Sequence, residues 1–299
     1  MPHNHTHAHY GDADAPRLMR IATIASSSLA FVLLGAKTYA WWSTESIAML
    51  SSLTDSLFDV FSALVNLFAI RYALKPADDD HRFGHSSIED IAGLSQAAFI
   101  CASMLMIMLQ AAERLFNPHQ LTNQSIGIWV SAGALVVTVG LVLFQGMVAR
   151  RTGSLIIASD RLHYAGDVLF NAGVLLAFFL DTQLGLGWAD PAIAMLIAVV
   201  VLYSSRDIGL RAFNNLMNRE MPDADKAKII EAVESMAEIT GHHNLKTRYS
   251  GTKAFIQLHA DIAAGLSFRA AHDIVDRLEK KLLAAFPGAE VIIHPDPHE

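Results

Sequence analysis

Six long apolar stretches constrain the fold of this 299-residue chain more than any other feature of its sequence. A helix that crosses a bilayer needs about 20 mostly apolar residues, because the hydrocarbon layer is about 30 Å thick and each helical residue rises about 1.5 Å. The stretches that meet this requirement are residues 18–42, 46–72, 90–116, 123–149, 157–181 and 188–213. The sequence therefore predicts an α-helical membrane protein with six transmembrane helices.

The charged residues are distributed unevenly and separate a second region from the first. Residues 221–299 hold 21 of the 51 charged residues, which is the density of an ordinary soluble domain. Apolar residues there recur at helical spacing over 222–238 and 266–286, and strands are indicated over 255–262 and 289–294. With one further strand after the first helix, the predicted order is helix, strand, strand, helix, strand, which makes an α+β domain.

The predicted organisation thus has three parts, which are a His-rich disordered N-terminus over 1–16, a six-helix transmembrane domain over 17–213 and an α+β domain over 214–299. His3, His5, His7 and His9 alternate in the first part. Such a tract can bind transition metals weakly, and it is equally compatible with disorder that has no role. The single cysteine, Cys101, excludes an intrachain disulfide and a Cys-rich metal site.

Positive charges predict which side of the membrane each connection faces, because cytoplasmic loops retain an excess of Lys and Arg. They cluster before the first span and after the second, fourth and sixth, at Arg17, Arg20, Arg71, Lys75, Arg82, Arg150, Arg151, Arg206, Arg211 and Arg219. The opposite connections are almost bare, and only Arg114 breaks the pattern. Both termini and the α+β domain are therefore expected in the cytoplasm.

The net charge of -7, with no basic stripe, predicts no nucleic-acid partner.

Two pairs of ionisable side chains lie inside the predicted spans. Asp55 and Asp59 are four residues apart in the second span, so they share one helix face. His163 and Asp167 have the same spacing in the fifth span. A charged side chain costs about 2.5–3.5 kcal/mol at mid-bilayer on insertion scales, so something must compensate these groups. If the two faces meet, three carboxylates and one imidazole form a set suited to tetrahedral Zn²⁺ and tolerable for Fe²⁺, Mn²⁺, Co²⁺ or Cd²⁺.

A different interpretation is that these groups hydrogen-bond one another, or line a water-filled cavity, without binding metal. Asn66 and Asn171 lie one or two turns from the pairs and fit the role of such interhelical hydrogen-bonding residues. Two pairs with the same spacing favour the metal interpretation.

Two further groups of candidate ligands lie outside the spans. Asp78, His81 and His85 fall in the short loop after the second span, where Gly84 permits a turn; a solvated acidic loop is the alternative interpretation. The α+β domain contains several more His residues and a late carboxylate, namely His242, His243, His259, His272, His294 and Asp296. Because these are scattered over five elements, the sequence alone leaves open whether they converge.

The order of these features resembles the cation diffusion facilitator family, and within it the bacterial zinc and iron(II) efflux type, over about residues 17–296. The segment Ser-Ser-Leu-Thr-Asp55-Ser-Leu-Phe-Asp59 is similar to the second-span signature of the family, and Leu-His163-Tyr-Ala-Gly-Asp167 to its fifth-span partner. The resemblance implies that these four residues form the transport site. It also implies a loop site and a two-metal cytoplasmic site, whose residues are Asp78, His81, His85, His243, His259, His272, His294 and Asp296.

The resemblance further implies a multi-pass protein of the bacterial inner membrane that forms a homodimer through a metallochaperone-like cytoplasmic domain. Three positions depart from the pattern of close relatives. Ser87 stands where they carry a lysine, and Asn218 where they carry an aspartate that pairs with it. Asn244 replaces an aspartate beside the first cytoplasmic ligand. The ion pair that locks the dimer in the family therefore lacks both of its charges here.

The function expected from these features is efflux of a divalent transition-metal cation, Zn²⁺ first among them, by proton antiport through alternating access. Metal ligation requires ionised carboxylates and a neutral imidazole, so cations and protons compete for one site. Histidine is the side chain that ordinarily changes its charge near neutral pH, which makes His163 the natural proton exchanger. The alternatives are a membrane-anchored metal sensor or storage protein, and an intramembrane hydrolase that uses the carboxylates. Ionisable groups deep in two spans disfavour the first, and two aspartates on one helix face disfavour the second.

Overall fold

The computed structural model describes residues 14–44, 47–116 and 125–298. The alternating His residues of the N-terminal tract lie outside these ranges. Six helices in the described ranges are long and apolar enough to cross a membrane, which confirms the predicted spans. They are α1 (Ala15–Thr44), α2 (Ile47–Ala73), α3 (Ser87–Phe116), α4 (Ser125–Thr152), α5 (Leu155–Leu184) and α6 (Ala189–Leu216).

The ends of the helices follow from local chemistry. α5 begins at Ser154, whose hydroxyl accepts a hydrogen bond from the Ile157 N–H, and ends at Gly185 in the left-handed region with φ 66°. α6 ends in a turn that places Asn218 at φ 56°, a conformation that asparagine tolerates better than most residues. The Asn218 carbonyl oxygen of the side chain accepts a hydrogen bond from Arg248 at 3.1 Å. This residue, which departs from the family pattern, therefore caps a helix and contacts the following domain.

Within the membrane domain, α3 packs along α6, and α1 packs along α2. α5 lies between α4 and α6, whereas α2 and α5 approach each other over a short length only. At the cytoplasmic ends by the predicted orientation, a buried cluster of apolar side chains joins α1 through α5; it includes Met19, Ile70, Ala92, Val148 and Ile157.

The C-terminal domain has the predicted order of elements, which are α7 (Asp223–Glu234), β1 (Ile239–Ser250), β2 (Lys253–Ala263), α8 (Phe268–Ala285) and β3 (Glu290–His298). β2 is the central strand of a three-stranded sheet; it pairs antiparallel with β1 and parallel with β3. α8 buries Leu278 and Leu282 in the core that also contains Ile256 and Leu258 of β2. This arrangement confirms the predicted α+β fold.

Two element boundaries in the C-terminal domain differ from the prediction by four residues. The helix expected over 222–238 ends at Glu234, because the chain turns through residues 235–238 to enter β1, with an Ile239 N–H···O=C Met236 hydrogen bond of 3.1 Å. The last strand continues past His294 to His298 despite Pro295 and Pro297. Prolines are tolerated there because β3 is an edge strand, so their missing N–H groups are not needed by a further neighbour.

The turn between β1 and β2 contacts the membrane domain. The Gly251 N–H donates to the Asp90 carboxylate at 2.6 Å, and Asn215 of α6 donates to the other oxygen of that carboxylate at 2.8 Å. Gly251 has φ +55°, and a Cβ there would lie 2.5 Å from the Ser86 carbonyl oxygen. Only glycine therefore permits this close approach. Ser87, the second departure from the family pattern, adds a hydroxyl–hydroxyl hydrogen bond of 2.8 Å to Ser250.

Candidate metal sites

The structure brings three of the four predicted intramembrane ligands together. The Nε2 atom of His163 lies 3.0 Å from Asp59 Oδ1 and 3.8 Å from Asp167 Oδ2. One ligand atom from each residue falls within 4.8 Å of the others. Ligands of a tetrahedral Zn²⁺ with bonds of about 2.0–2.1 Å lie about 3.3–3.4 Å apart, so small side-chain shifts would accommodate an ion. We call these three residues the membrane cluster. The side chain of Asp55, one turn before Asp59 on α2, is outside the described part of the chain.

The membrane cluster lines a cavity of about 730 Å³ inside the helix bundle. Besides the cluster, the lining includes Lys37 of α1, Gln110 of α3 and Leu135 of α4. These positions lie toward the helix ends that are non-cytoplasmic in the predicted orientation. The cavity therefore extends from the cluster toward that side.

Lys37 and Asp160 are further ionisable residues within the predicted spans, and neither is among the predicted site residues. Asp160 is 1% exposed and lies one turn before His163 on α5. Its carboxylate accepts hydrogen bonds from Asn66 of α2 at 3.0 Å and from Gln145 of α4 at 2.6 Å. Asn66 is thus an interhelical hydrogen-bonding residue, as expected. An ionisable residue within an apolar span is itself a functional signal, and it was available from the sequence.

Asp78, His81 and His85 also meet, and we call them the loop cluster. His81 Nδ1 lies 3.2 Å from Asp78 Oδ1, and His85 Nε2 lies 3.4 Å from Asp78 Oδ2. The His85 side chain is fully buried, and its Nε2 has no hydrogen-bond partner among the described residues. A buried ring nitrogen that faces a carboxylate without a hydrogen bond suits metal ligation. These residues therefore fit a cation.

A cation already competes for the loop cluster. The Lys75 ammonium group ion-pairs with Asp78 Oδ2. The hydrogen bond from Lys75, with another from the His81 backbone N–H, holds the pKa of Asp78 well below its ordinary value. A metal that took this carboxylate oxygen would have to displace the lysine.

The strands of the C-terminal domain bring His243, His259 and Asp296 together, and we call these the strand cluster. His243 on β1 lies opposite His259 on β2, which pairs in parallel register with His294 on β3. Asp296 Oδ2 lies 2.7 Å from His259 Nδ1 and 3.2 Å from His243 Nε2. The hydrogen bond from His259, with the neighbouring imidazoles, lowers the pKa of Asp296.

Two of the predicted cytoplasmic ligands lie at or beyond the edge of this cluster. His294 Nε2 is 3.3 Å from Asp296 Oδ1, on the far side of that carboxylate from His243. His272 lies on α8, where its ring stacks on Phe268. Within a single chain it does not join His243, His259 and Asp296.

Asp261 was not predicted as part of the strand cluster, yet it lies 3.2 Å from His243 Nδ1. The alternation of strand residues could have identified it, since it is two positions after His259 and shares its face. Gly241 makes room for this carboxylate, because a Cβ there would lie 2.6 Å from Asp261 Oδ2.

Comparison with known proteins places the whole chain in one class. A family model described as the cation efflux transmembrane domain matches residues 23–217, and one described as the cation efflux protein cytoplasmic domain matches residues 221–298. The chain therefore belongs to the cation efflux, or cation diffusion facilitator, family, which confirms the resemblance seen in its motifs. It is a multi-pass membrane transporter for cations and not an enzyme, which excludes the hydrolase alternative.

Particular relatives can be named. The cation-efflux pump FieF of Escherichia coli strain K12 / DH10B and that of strain O157:H7 EC4115 are each 41% identical over 286 residues, covering 94% of this chain and 93% of the relative. Two solved structures of CzrB, described as a candidate zinc transporter, are 28% and 29% identical. They cover 26% of this chain and 99% and 91% of their own chains, with TM-scores of 0.26 and 0.24.

Proposed function

We propose that this chain exports a divalent transition-metal cation, Zn²⁺ first among them, in exchange for protons. Fe²⁺, Cd²⁺, Mn²⁺ and Co²⁺ are the other cations that the ligand set accepts. The observation that carries the proposal is the membrane cluster, in which two carboxylates and an imidazole from α2 and α5 converge at a cavity inside the bilayer. We assign Asp55 as the fourth ligand on the basis of its spacing from Asp59.

Proton coupling follows from the chemistry of these ligands. A cation requires the carboxylates ionised and His163 neutral, whereas the empty cluster takes up protons. If the cluster opens in turn to each side of the membrane, each cycle carries a cation one way and protons the other. The cavity extends toward the side that we assign as non-cytoplasmic, so the conformation described here corresponds to the release step.

The cellular location, the orientation and the oligomeric state are proposed from the charge pattern and from the relatives. We place both termini and residues 214–299 in the cytoplasm, and residues 17–213 in the bacterial inner membrane. The match to the cytoplasmic domain of cation efflux proteins supports a homodimer formed through that domain. The strand cluster is proposed to bind metal and stabilise the dimer rather than to conduct ions, since it lies outside the membrane helices. His294 and His272 remain predicted ligands of that region.

Flux into vesicles tests the proposal. Purified protein is reconstituted into vesicles, a pH gradient is imposed, and Zn²⁺ and lumenal pH are followed together. We expect Zn²⁺ movement coupled to proton movement in the opposite direction, and its loss in Asp59→Ala. The matched control is Asp207→Ala, which removes an exposed α6 carboxylate outside all three clusters. Equal flux in Asp59→Ala and the unmodified chain would contradict the assignment of the site, and Zn²⁺ binding without flux would favour a metal sensor.

A further inference from the structure

Asp160 is a buried carboxylate for which the transport chemistry above has no role. It is 1% exposed, and two of its hydrogen-bonding partners, Asn66 and Gln145, are 1% and 0% exposed. Ser26 of α1 is a third hydrogen-bonding side chain. Asn66 donates to Oδ1 and Gln145 to Oδ2, so each carboxylate oxygen accepts one amide N–H. The arrangement suits an ionised carboxylate, because both amides present donors to it.

A carboxylate in the bilayer interior is costly, so its position needs a reason. Asp160 hydrogen-bonds to α2 and α4, and the hydroxyl of its near neighbour Tyr164 donates to the Ser26 carbonyl of α1 at 3.3 Å. Residues 160–164 of α5 are thereby hydrogen-bonded to three other helices, α1, α2 and α4. All three are buried hydrogen bonds, two between side chains and one from a side chain to a backbone carbonyl.

The Asp160–Asn66 hydrogen bond joins the same two helices that carry the membrane cluster. Asn66 lies seven residues, or about two turns, after Asp59 on α2. Asp160 lies three residues before His163 on α5. The Asp160–Asn66 hydrogen bond and the His163–Asp59 contact therefore lie on the facing sides of the two helices. Because α2 and α5 approach each other over a short length only, few other contacts set their separation and rotation.

We propose that Asp160 is a positioning residue for the transport site. Through Asn66 and Gln145 it fixes α5 against α2 and α4, and so fixes the 3.0 Å approach of His163 to Asp59. It is not itself a member of the membrane cluster. This inference rests on the proposed function, because it assigns a role toward the cation that the membrane cluster would bind.

The test exchanges the carboxylate and the amide between the two helices. Asp160→Asn replaces both charge-assisted hydrogen bonds with weaker bonds between neutral amides, and one partner amide must rotate to present its oxygen. The double variant Asn66→Asp with Asp160→Asn restores the charge-assisted bond between α2 and α5, because the new amide donates to Asp on α2 and accepts from Gln145. We expect Asp160→Asn to raise the KM for Zn²⁺ flux about 10- to 100-fold, the range typical of groups that orient metal ligands, and the double variant to recover most of this loss.

Two further variants separate positioning from general stability. Asn66→Ala removes only the link between α2 and α5, and should also raise KM. Ser62→Ala is the matched control, since it removes a buried 2.9 Å hydrogen bond between Ser62 and Gln96 that joins α2 to α3 instead. It should leave KM unchanged. If Asp160→Asn does not fold, Asn66→Ala and the double variant still decide the question.

Two results would overturn the inference. An unchanged KM in Asp160→Asn and Asn66→Ala would show that the hydrogen bond does not position the site. A folded double variant as impaired as Asp160→Asn would show that the carboxylate is needed at position 160 itself. If the unmodified chain moves no Zn²⁺, the proposed function fails. The same variants are then compared by Zn²⁺ calorimetry in a His81→Ala, His243→Ala background, where equal affinity in Asp160→Asn and the background chain would refute positioning.

Discussion

The strand cluster and the membrane cluster use the same kinds of ligand but are held in place by different means. His243, His259 and Asp296 lie on three adjacent strands whose register is fixed by backbone hydrogen bonds. Asp59 and His163 lie on two helices that approach each other briefly, and side-chain hydrogen bonds set their spacing. A site built on a ladder of backbone bonds keeps its geometry when the ion leaves. A site built between helices can open and close, as transport requires.

Loss of one imidazole from each cluster should give the largest difference. We expect His163→Ala to reduce Zn²⁺ flux more than about 100-fold, since removing a direct ligand should cost more than removing its outer partners. His259→Ala should retain flux and shift its dependence on metal concentration, because the strand cluster lies outside the membrane helices. Initial rates in vesicles over a range of Zn²⁺ concentrations measure both effects. Complete loss of flux in a folded His259→Ala protein would place the strand cluster on the transport path.

The connection between the two regions should be broken by Gly251→Ala. The added Cβ would meet the Ser86 carbonyl oxygen at 2.5 Å, and alanine is strained at φ +55°. We expect a loss of about 1–3 kcal/mol, the cost of one strained residue, with faster proteolysis at the β1–β2 turn. The strand cluster should keep its Zn²⁺ affinity, because the strand register is unaffected. Gly265→Ala, at φ +89° in the turn after β2 with open space around it, controls for backbone strain alone.

The loop cluster differs from both other clusters. Its residues are close together in the chain, and Lys75 competes with a metal for the Asp78 carboxylate. Lys75→Gln should tighten Zn²⁺ binding there by about two- to fivefold, a range that corresponds to an exposed ion pair. The matched control is Arg82→Gln, which removes the exposed ion pair to Asp79 (2.8 Å) outside the cluster. Calorimetric titration of chains that lack the strand ligands measures the change. Weaker binding in Lys75→Gln would mean that the lysine supports the loop cluster instead of competing with a metal.

The smallest effect is expected from pH on the metal-free strand cluster. Since His259 lowers the pKa of Asp296, the carboxylate contributes stability above the ordinary pKa of about 3.9 and loses it as pH falls through the lower folded value. The unmodified chain should therefore lose slightly more stability than Asp296→Asn between pH 5 and pH 3. Unfolding temperatures across this range provide the measurement. A larger loss in Asp296→Asn would reverse the sign and remove the assigned cause.

The sequence was sufficient to predict the six spans and the faces on which candidate ligands lie. Helical spacing pairs Asp55 with Asp59 and His163 with Asp167. Periodicity within one element says nothing about the rotation of one helix against another, so the contact of Asp160 with Asn66 and Gln145 could not be derived. The prolines after His294 likewise suggested the end of a strand, and only the edge position of β3 explains why it continues.

The contact at Gly251 also determines how a rotation of the small sheet would move the strand cluster. The turn is pinned to Asp90 at one end, while His259 lies six residues along β2 from Lys253, roughly 20 Å away at about 3.3 Å per residue. A tilt of only 3° about that contact would displace the imidazoles of the strand cluster by roughly 1 Å relative to the membrane helices. Because the strand cluster lies roughly 20 Å from the contact with the membrane helices, a small rotation of the sheet about that contact moves the cluster much farther than it moves the turn.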